Sequence, residues 1–203
     1  MIFYSLIKGY GIKLLNRNFI IIGFCGLPGS GKSTAIEAIN DWGVVINMGD
    51  IVREEAKKSN ISETDENLGK IAQNLRQVEG KGVLAKKCVE KIQKSNNSTF
   101  FIDGLRSWEE VEMFRKYWKF PVIAIKTDLE KRFQIIKKRD RKDDPDTLKE
   151  LRKRENRELN FGLDKVIKNA DYEIMNNSTK KVLKKKTREI VKKIINENGA
   201  NSF

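Results

Sequence analysis

The chain contains no histidine. Imidazole acid–base chemistry, Ser-His nucleophilic catalysis and His-ligated zinc are therefore excluded. Cysteine is nearly absent. Cys25 and Cys88 lie far apart and make neither a metal-binding spacing nor a disulfide framework. They read as small apolar side chains in a reducing compartment, so a cytoplasmic location is expected. Long uncharged apolar runs are missing at the start of the chain too. Residues 1–18 are apolar, but Lys8, Lys13 and Arg17 interrupt them, well short of the ~20 residues that a membrane span needs. A strand follows at once, leaving no room for a cleavage site and mature start, so no signal peptide is expected. A surface extension or a misplaced start codon is favoured over an amphipathic membrane-touching segment. Acidic residues are outnumbered: 28 against 41 basic ones give a net charge of +13 over 203 residues. That excess suits nucleic acid, an anionic surface or phosphorylated small molecules and does not choose among them. The length suits one domain with an inserted or appended subdomain.

What is present is a phosphate loop. Gly26-Leu27-Pro28-Gly29-Ser30-Gly31-Lys32-Ser33 satisfies every fixed position of G-x-x-x-x-G-K-[ST]. The pattern is short, so its surroundings decide. Phe19–Cys25 is an apolar run rich in β-branched and aromatic residues and reads as a buried strand. Thr34–Ile39 has helical spacing. Glycines allow backbone N–H groups to turn inward around phosphate oxygens, and the helix start adds its dipole. Residues Gly26 to Thr34 are therefore the expected nucleotide contacts. Lys32 is expected on the β- and γ-phosphates and Ser33 on Mg²⁺. An ordinary Gly-rich turn would not need Lys32-Ser33.

Further along, Val44–Met48 reads as a second strand running into Gly49-Asp50 and a helix. Polar residues at a strand's carboxyl end lie where open α/β sheets bind ligands. Asp50 and Arg53, three apart on one helical face, are candidates for the acceptor. Arg53 would grip an acceptor phosphate, and Asp50 would meet an acceptor hydroxyl or the metal shell. A helix N-cap and a solvated arginine are the plainer alternative. Residues 62–94 read as helical, broken at Gly80-Lys81-Gly82, with Ser62, Thr64 or Asp65 as cap. Thr99–Ile102 is a third strand ending in Asp103-Gly104-Leu105-Arg106. Asp103 suits a Walker-B role at the metal, and Arg106 can point at phosphate from the same edge. Residues 108–118 read as a helix, and Pro121–Ile125 as a fourth strand. Ile125-Lys126-Thr127-Asp128 has Ile where the guanine-reading N-K-x-D pattern requires Asn, which argues against a GTPase. Residues 129–160 are densely charged, with both signs mixed around the turn Asp143-Asp144-Pro145-Asp146. A helical hairpin closing as a lid would bring Arg139, Arg154 or Arg157 onto transferring phosphate. Ala170–Asn177 reads as the fifth strand and its exit, followed by a last helix that Ser178 can cap.

Several of these segments resemble known kinases. Met48-Gly49-Asp50-Ile51-Val52-Arg53 resembles the adenylate-kinase segment whose arginine binds the AMP phosphate. Asp103-Gly104-Leu105-Arg106 is similar to the adenylate-kinase D-G-F-P-R element, shortened and without its proline. Ala170-Asp171-Tyr172-Glu173-Ile174-Met175-Asn176-Asn177 resembles the A-D-x-x-I-x-N-N segment of dephospho-CoA kinases, which implies that Asn176 lies near the adenine of ATP. With Asp65-Glu66-Asn67-Leu68-Gly69 and Arg139–Pro145, the stretch from about Phe19 to Ile195 resembles an archaeal family of adenylate-kinase-like and dephospho-CoA-kinase-like proteins. The family name leaves the acceptor open.

The expected fold is thus an α/β P-loop NTPase fold with a five-stranded parallel sheet and helices on both faces. Residues 1–18 fall outside it, residues 19–198 form the kinase-like domain, and residues 199–203 form a frayed tail. Acceptor-binding helices are expected over about 50–95 and a lid over about 130–160. The expected activity is ATP- and Mg²⁺-dependent phosphoryl transfer to a small nucleotide-like acceptor, either a nucleoside monophosphate or dephospho-CoA. A nucleotide-responsive module holding RNA or a protein partner is the alternative. Nucleic acid is possible but not favoured.

Overall fold

A computed structural model describes residues 19–139 and 144–199. The extension 1–18, the lid-turn residues 140–143 and the tail beyond 199 lie outside the described residues. Five strands form one sheet: β1 (Ile20–Cys25), β2 (Val44–Asn47), β3 (Thr99–Asp103), β4 (Val122–Lys126) and β5 (Tyr172–Met175). Their order is β2-β3-β1-β4-β5, and every pairing is parallel. β1 is central. The chain leaves it towards β2 and β3 on one side, then crosses to β4 and β5 on the other. Its carboxyl end is the switch point of the sheet, where open α/β sheets bind ligands.

The strands are apolar on both faces because both faces are covered. Alternation sorts their side chains between two cores. Ile21 and Cys25 of β1, Phe100 and Ile102 of β3, and Val122 and Ala124 of β4 enter one core. Ile22 and Phe24, Phe101, and Ile123 and Ile125 enter the other. The first core is completed by α2 (Met48–Lys58), α3 (Asp65–Glu79), α4 (Val83–Lys94), α5 (Trp108–Arg115) and α8 (Leu163–Lys168). The second is completed by α1 (Lys32–Glu37) and α9 (Lys180–Gly199). The remaining pair, α6 (Leu129–Arg139) and α7 (Leu148–Asn160), buries Ile136 and Leu151, which belong to neither core. This pair lies over the carboxyl edge of the sheet.

Local chemistry sets the boundaries. Asn47 caps α2, its side chain accepting from the Gly49 N–H at 2.8 Å, so the helix starts before Asp50 and Asp50 is not its cap. Thr64 caps α3, as one of the three expected candidates. The predicted cap Ser178 is displaced by Thr179, whose hydroxyl accepts from the Val182 N–H at 3.3 Å. α5 ends at Arg115, not 118, although Trp118 still packs against Phe19 with ring centroids 5.6 Å apart. The six-residue α8 was not expected, because so short a helix leaves no readable period.

Candidate functional site

The phosphate loop is bent by positions that only glycine fills comfortably. Gly26 has φ 147°, and a Cβ there would lie 2.4 Å from the Ile125 carbonyl oxygen. Gly29 has φ 77° with the Arg132 carbonyl oxygen equally close to its missing Cβ. The loop is braced from behind. Thr127 Oγ1 and Asn176 Nδ2 both donate to the Ser30 carbonyl, at 2.8 and 2.9 Å. Arg132 Nη1 donates to the Pro28 carbonyl at 3.3 Å and Nε to the Thr127 carbonyl at 3.1 Å, while Glu155 pairs with the same guanidinium.

Lys32 folds back over this loop, its Nζ donating to the Gly26 carbonyl at 2.6 Å. Burial pushes the ammonium's pKa down, and the carboxylates of Asp103 and Glu158 partly restore it. A buried cation with lowered proton affinity gains from an arriving anion. Asp103, at the end of β3, carries a buried Oδ1 with no hydrogen-bond partner. An orphaned carboxylate oxygen beside a phosphate loop fits a cation, which would satisfy it. Among the described residues no group of three Cys, Asp or Glu side chains could hold a metal by itself. Mg²⁺ bound through one or two protein oxygens plus phosphates needs no such group.

Gly26, Pro28–Thr34 and Asp103 line a cleft of about 280 Å³. Its other walls bring Arg53 from α2, Arg106 from the turn after β3, Lys138 and Arg139 from α6, Arg154 and Glu158 from α7, and Lys180 from α9. A second cavity of about 50 Å³ shares Gly49, Arg53, Arg106, Arg154 and Glu158 with it. It continues past Val52, Leu68, Ala72 and Phe161, with Asp65 and Arg157 on its wall.

The arginines on these walls each face a carboxylate. Arg106 Nη2 donates to Glu158 Oε1 at 3.2 Å, and Arg154 lies 3.5 Å from the same oxygen. Burial alone would raise the Glu158 carboxyl, but Arg106, Arg154 and Lys32 outweigh it and hold the carboxyl below the ordinary glutamate range. Glu158 in turn pushes Arg106 up. Arg157 donates to Asp65 at 2.7 Å, and Arg154 reaches the same carboxylate at 3.4 Å. Gly69, one helical turn after Asp65, admits the Arg157 guanidinium, since a Cβ there would stand 3.0–3.1 Å from its atoms. Arg139 grips Asp144, with Nε donating at 2.7 Å.

The expected residues therefore separate. Lys32, Ser33, Thr34, Arg53, Asp103, Arg106 and Arg139 converge on one cleft, joined by Arg154. Asp50 does not line either cavity; it is exposed and accepts from Arg53 Nη1 at 3.0 Å. Leu27 and Asn176 also lie outside the cleft wall, and Asn176 is buried behind the loop. Glu158 and Lys180 were missed. Both sat among runs of charge, where only a tertiary contact separates a wall residue from a solvated one.

A family model described as an AAA domain matches residues 25–152. A UPF0200 protein of Methanothermobacter thermautotrophicus is 42% identical over 161 residues, covering 78% of this chain and 82% of the relative. One of Thermococcus onnurineus is 38% identical over 186 residues, covering 88% and 100%. The chain belongs to the UPF0200 family. It spans half the length of the UPF0200/UPF0201 protein of Archaeoglobus fulgidus, to which it is 43% identical over 77% of its own length. Among solved structures, TT1252 from Thermus thermophilus aligns with a TM-score of 0.58 at 16% identity, covering 87% of this chain and 98% of that one. Shikimate kinase from Acinetobacter baumannii, in complex with shikimate, aligns with a TM-score of 0.54 at 13% identity, covering 89% and 96%. At such identities the likeness concerns the fold. This UPF0200 chain carries a P-loop domain that matches the AAA-domain model and shares its fold with these two structures, and no helix among its described residues is long and apolar enough to cross a membrane.

Proposed function

We propose that this chain is an ATP- and Mg²⁺-dependent phosphotransferase acting on a nucleotide-like small molecule. The observation that carries the reading is convergence. One cleft joins the phosphate loop, the orphaned Asp103 oxygen and arginines from four chain segments, and it shares a wall with a second cavity. In phosphoryl transfer the protein contributes mainly positioning and charge neutralisation, and that is what this wall can supply.

Loop amides and Lys32 hold the donor phosphates, with Lys32 leaving the Gly26 carbonyl for them. Ser33 and Asp103 are the residues that would hold Mg²⁺. A Mg²⁺ held there would supply neutralisation of the phosphate charge. Arg106, Arg139 and Arg154 face the space between donor and acceptor and stabilise the charge that develops there. Arg53 and Arg157 face the acceptor cavity. The four arginines on that cavity outnumber its two carboxylates, Asp65 and Glu158. Such a wall favours a phosphate-bearing acceptor. A hydroxyl acceptor such as dephospho-CoA would draw on Asp50 as base only after the Asp50–Arg53 pair rearranged.

The test is Lys32→Ala. Acceptor-dependent ADP release is expected to fall by roughly 100-fold or more while the thermal midpoint stays near that of the parent. Near-normal turnover in a folded variant would remove the assignment.

A further inference from the structure

Behind the acceptor cavity lies a buried ion pair that the proposed chemistry does not use. Arg76 of α3 and Glu110 of α5 are 5% and 0% exposed at their side chains, with Arg76 Nη2 donating to Glu110 Oε1 at 2.7 Å. Glu110 has a second task. Its Oε2 accepts from the backbone N–H of Arg106 at 2.7 Å and of Ser107 at 3.2 Å, while Ser107 Oγ accepts from the Glu110 N–H. A capping box alone would need only the Ser107 contact. The added bond to Arg106 N fixes the backbone from which the Arg106 side chain enters the cleft. Arg76 is fixed as well. Its Nη1 donates to the Ala72 carbonyl at 3.1 Å, and its guanidinium stands 4.6 Å from the centre of the Phe161 ring. Ala72 and Phe161 line the second cavity. One buried arginine thus ties together the helix, the turn and the ring that line the second cavity.

We infer that Arg76 is a positioning residue that acts through Glu110 to hold Arg106, and with it the phosphate-facing edge of the acceptor cavity. The inference rests on the phosphotransferase reading for its meaning, but not for its test. Stability gives little reason for the pair. Replacing a buried ion pair with well-packed hydrophobic side chains of similar volume is often neutral or stabilising. Ordinary structural use would therefore leave ligand binding untouched once the pair is replaced as a unit. Positioning would not.

The variant is Arg76→Met/Glu110→Gln, which removes both charges and keeps an N3 side chain able to cap. The probes are Mg-ADP and, at saturating Mg-ADP, inorganic phosphate, both followed by calorimetry on the full chain. The expected result is a thermal midpoint and Mg-ADP affinity close to the parent, with phosphate affinity down roughly 10-fold. Arg76→Lys keeps the charge but not the second arm or the ring contact, and is expected to fall between. If the double variant does not fold, Arg76→Lys alone carries the comparison. Unchanged phosphate affinity, or an equal loss of Mg-ADP and phosphate binding, overturns the inference. Failure of the kinase reading is seen separately, as a parent protein that binds both probes yet transfers phosphate to no acceptor.

Discussion

Glu158→Gln should weaken the empty protein and strengthen its grip on nucleotide. Glu158 stands 3.2 Å from Arg106 and 3.5 Å from Arg154, almost wholly buried. Removing one partner of a buried ion pair typically costs about 3–5 kcal/mol. Here the loss is partial. Arg106 keeps the fields of Glu110 and Asp103, and Arg154 keeps Asp65 at 3.4 Å and Asp144 at 3.9 Å. Glutamine also remains an acceptor. A cost of about 2 kcal/mol is reasonable, which lowers the thermal midpoint of a chain this size by about 4–8 °C. The same carboxylate repels incoming phosphate. For a single phosphate charge taken to sit about 6 Å away, an effective dielectric of about 20 gives a repulsion of about 3 kcal/mol, or up to about 100-fold in affinity. The assay is thermal unfolding with and without Mg²⁺ and a non-hydrolysable ATP analogue. The variant should melt lower alone and gain more from the ligand than the parent does. A parent-like midpoint together with an unchanged or smaller ligand gain would refute the reasoning. The acid limb offers a check. The Glu158 pKa is depressed in the fold, so its contribution is present above the unfolded value of about 4.3 and is lost as pH falls through the folded value. Glu158→Gln should therefore flatten the stability profile below about pH 4.

Other predictions concern separate parts of the site. Asp103→Asn should raise the Mg²⁺ concentration needed for half-maximal turnover roughly 10-fold while leaving the fold intact, because the orphaned oxygen loses its charge; a magnesium titration of ADP release reads it. Gly69→Ala should cost no stability, since alanine in a helix interior gains about 0.5–1 kcal/mol over glycine. Its Cβ would nevertheless push the Arg157 guanidinium aside, and the acceptor KM should rise with little change in kcat. Cys25 and Cys88 are 0% exposed, and burial pushes both thiols up to about 12. Iodoacetamide at pH 8 should leave the native chain unlabelled and label two sites after unfolding, as mass spectrometry would show.

The sheet was legible because a strand covered on both faces is written as a continuous apolar run, and Phe19–Cys25, Thr99–Ile102 and Pro121–Ile125 are such runs. The phosphate loop was legible because its chemistry needs local residues at fixed spacing. Residues that act through distant partners were not. Arg76 sits on an ordinary helical pattern, and its buried pairing with Glu110, 34 positions away, leaves no local trace. Lys180 reads as one lysine among many on α9, yet it lines the cleft. Asp50 reads as a functional acid because it follows a strand, but the Asn47 cap starts the helix early and turns Asp50 to the exposed side. Asn176 was read from a resemblance as an adenine neighbour, while its amide here braces the Ser30 carbonyl.

The measurement that bears most directly on the central claim is ADP release with Mg-ATP across a panel of acceptors. The panel comprises AMP, CMP, UMP, GMP, their deoxy forms, dephospho-CoA and no acceptor. The account predicts that at least one acceptor raises the rate well above the acceptor-free rate, and that the arginine-rich second cavity makes it a nucleoside monophosphate, whose phosphate is the accepting group, rather than dephospho-CoA. A slow rate that no acceptor increases would contradict the phosphotransferase reading and leave nucleotide-dependent partner binding as the better account.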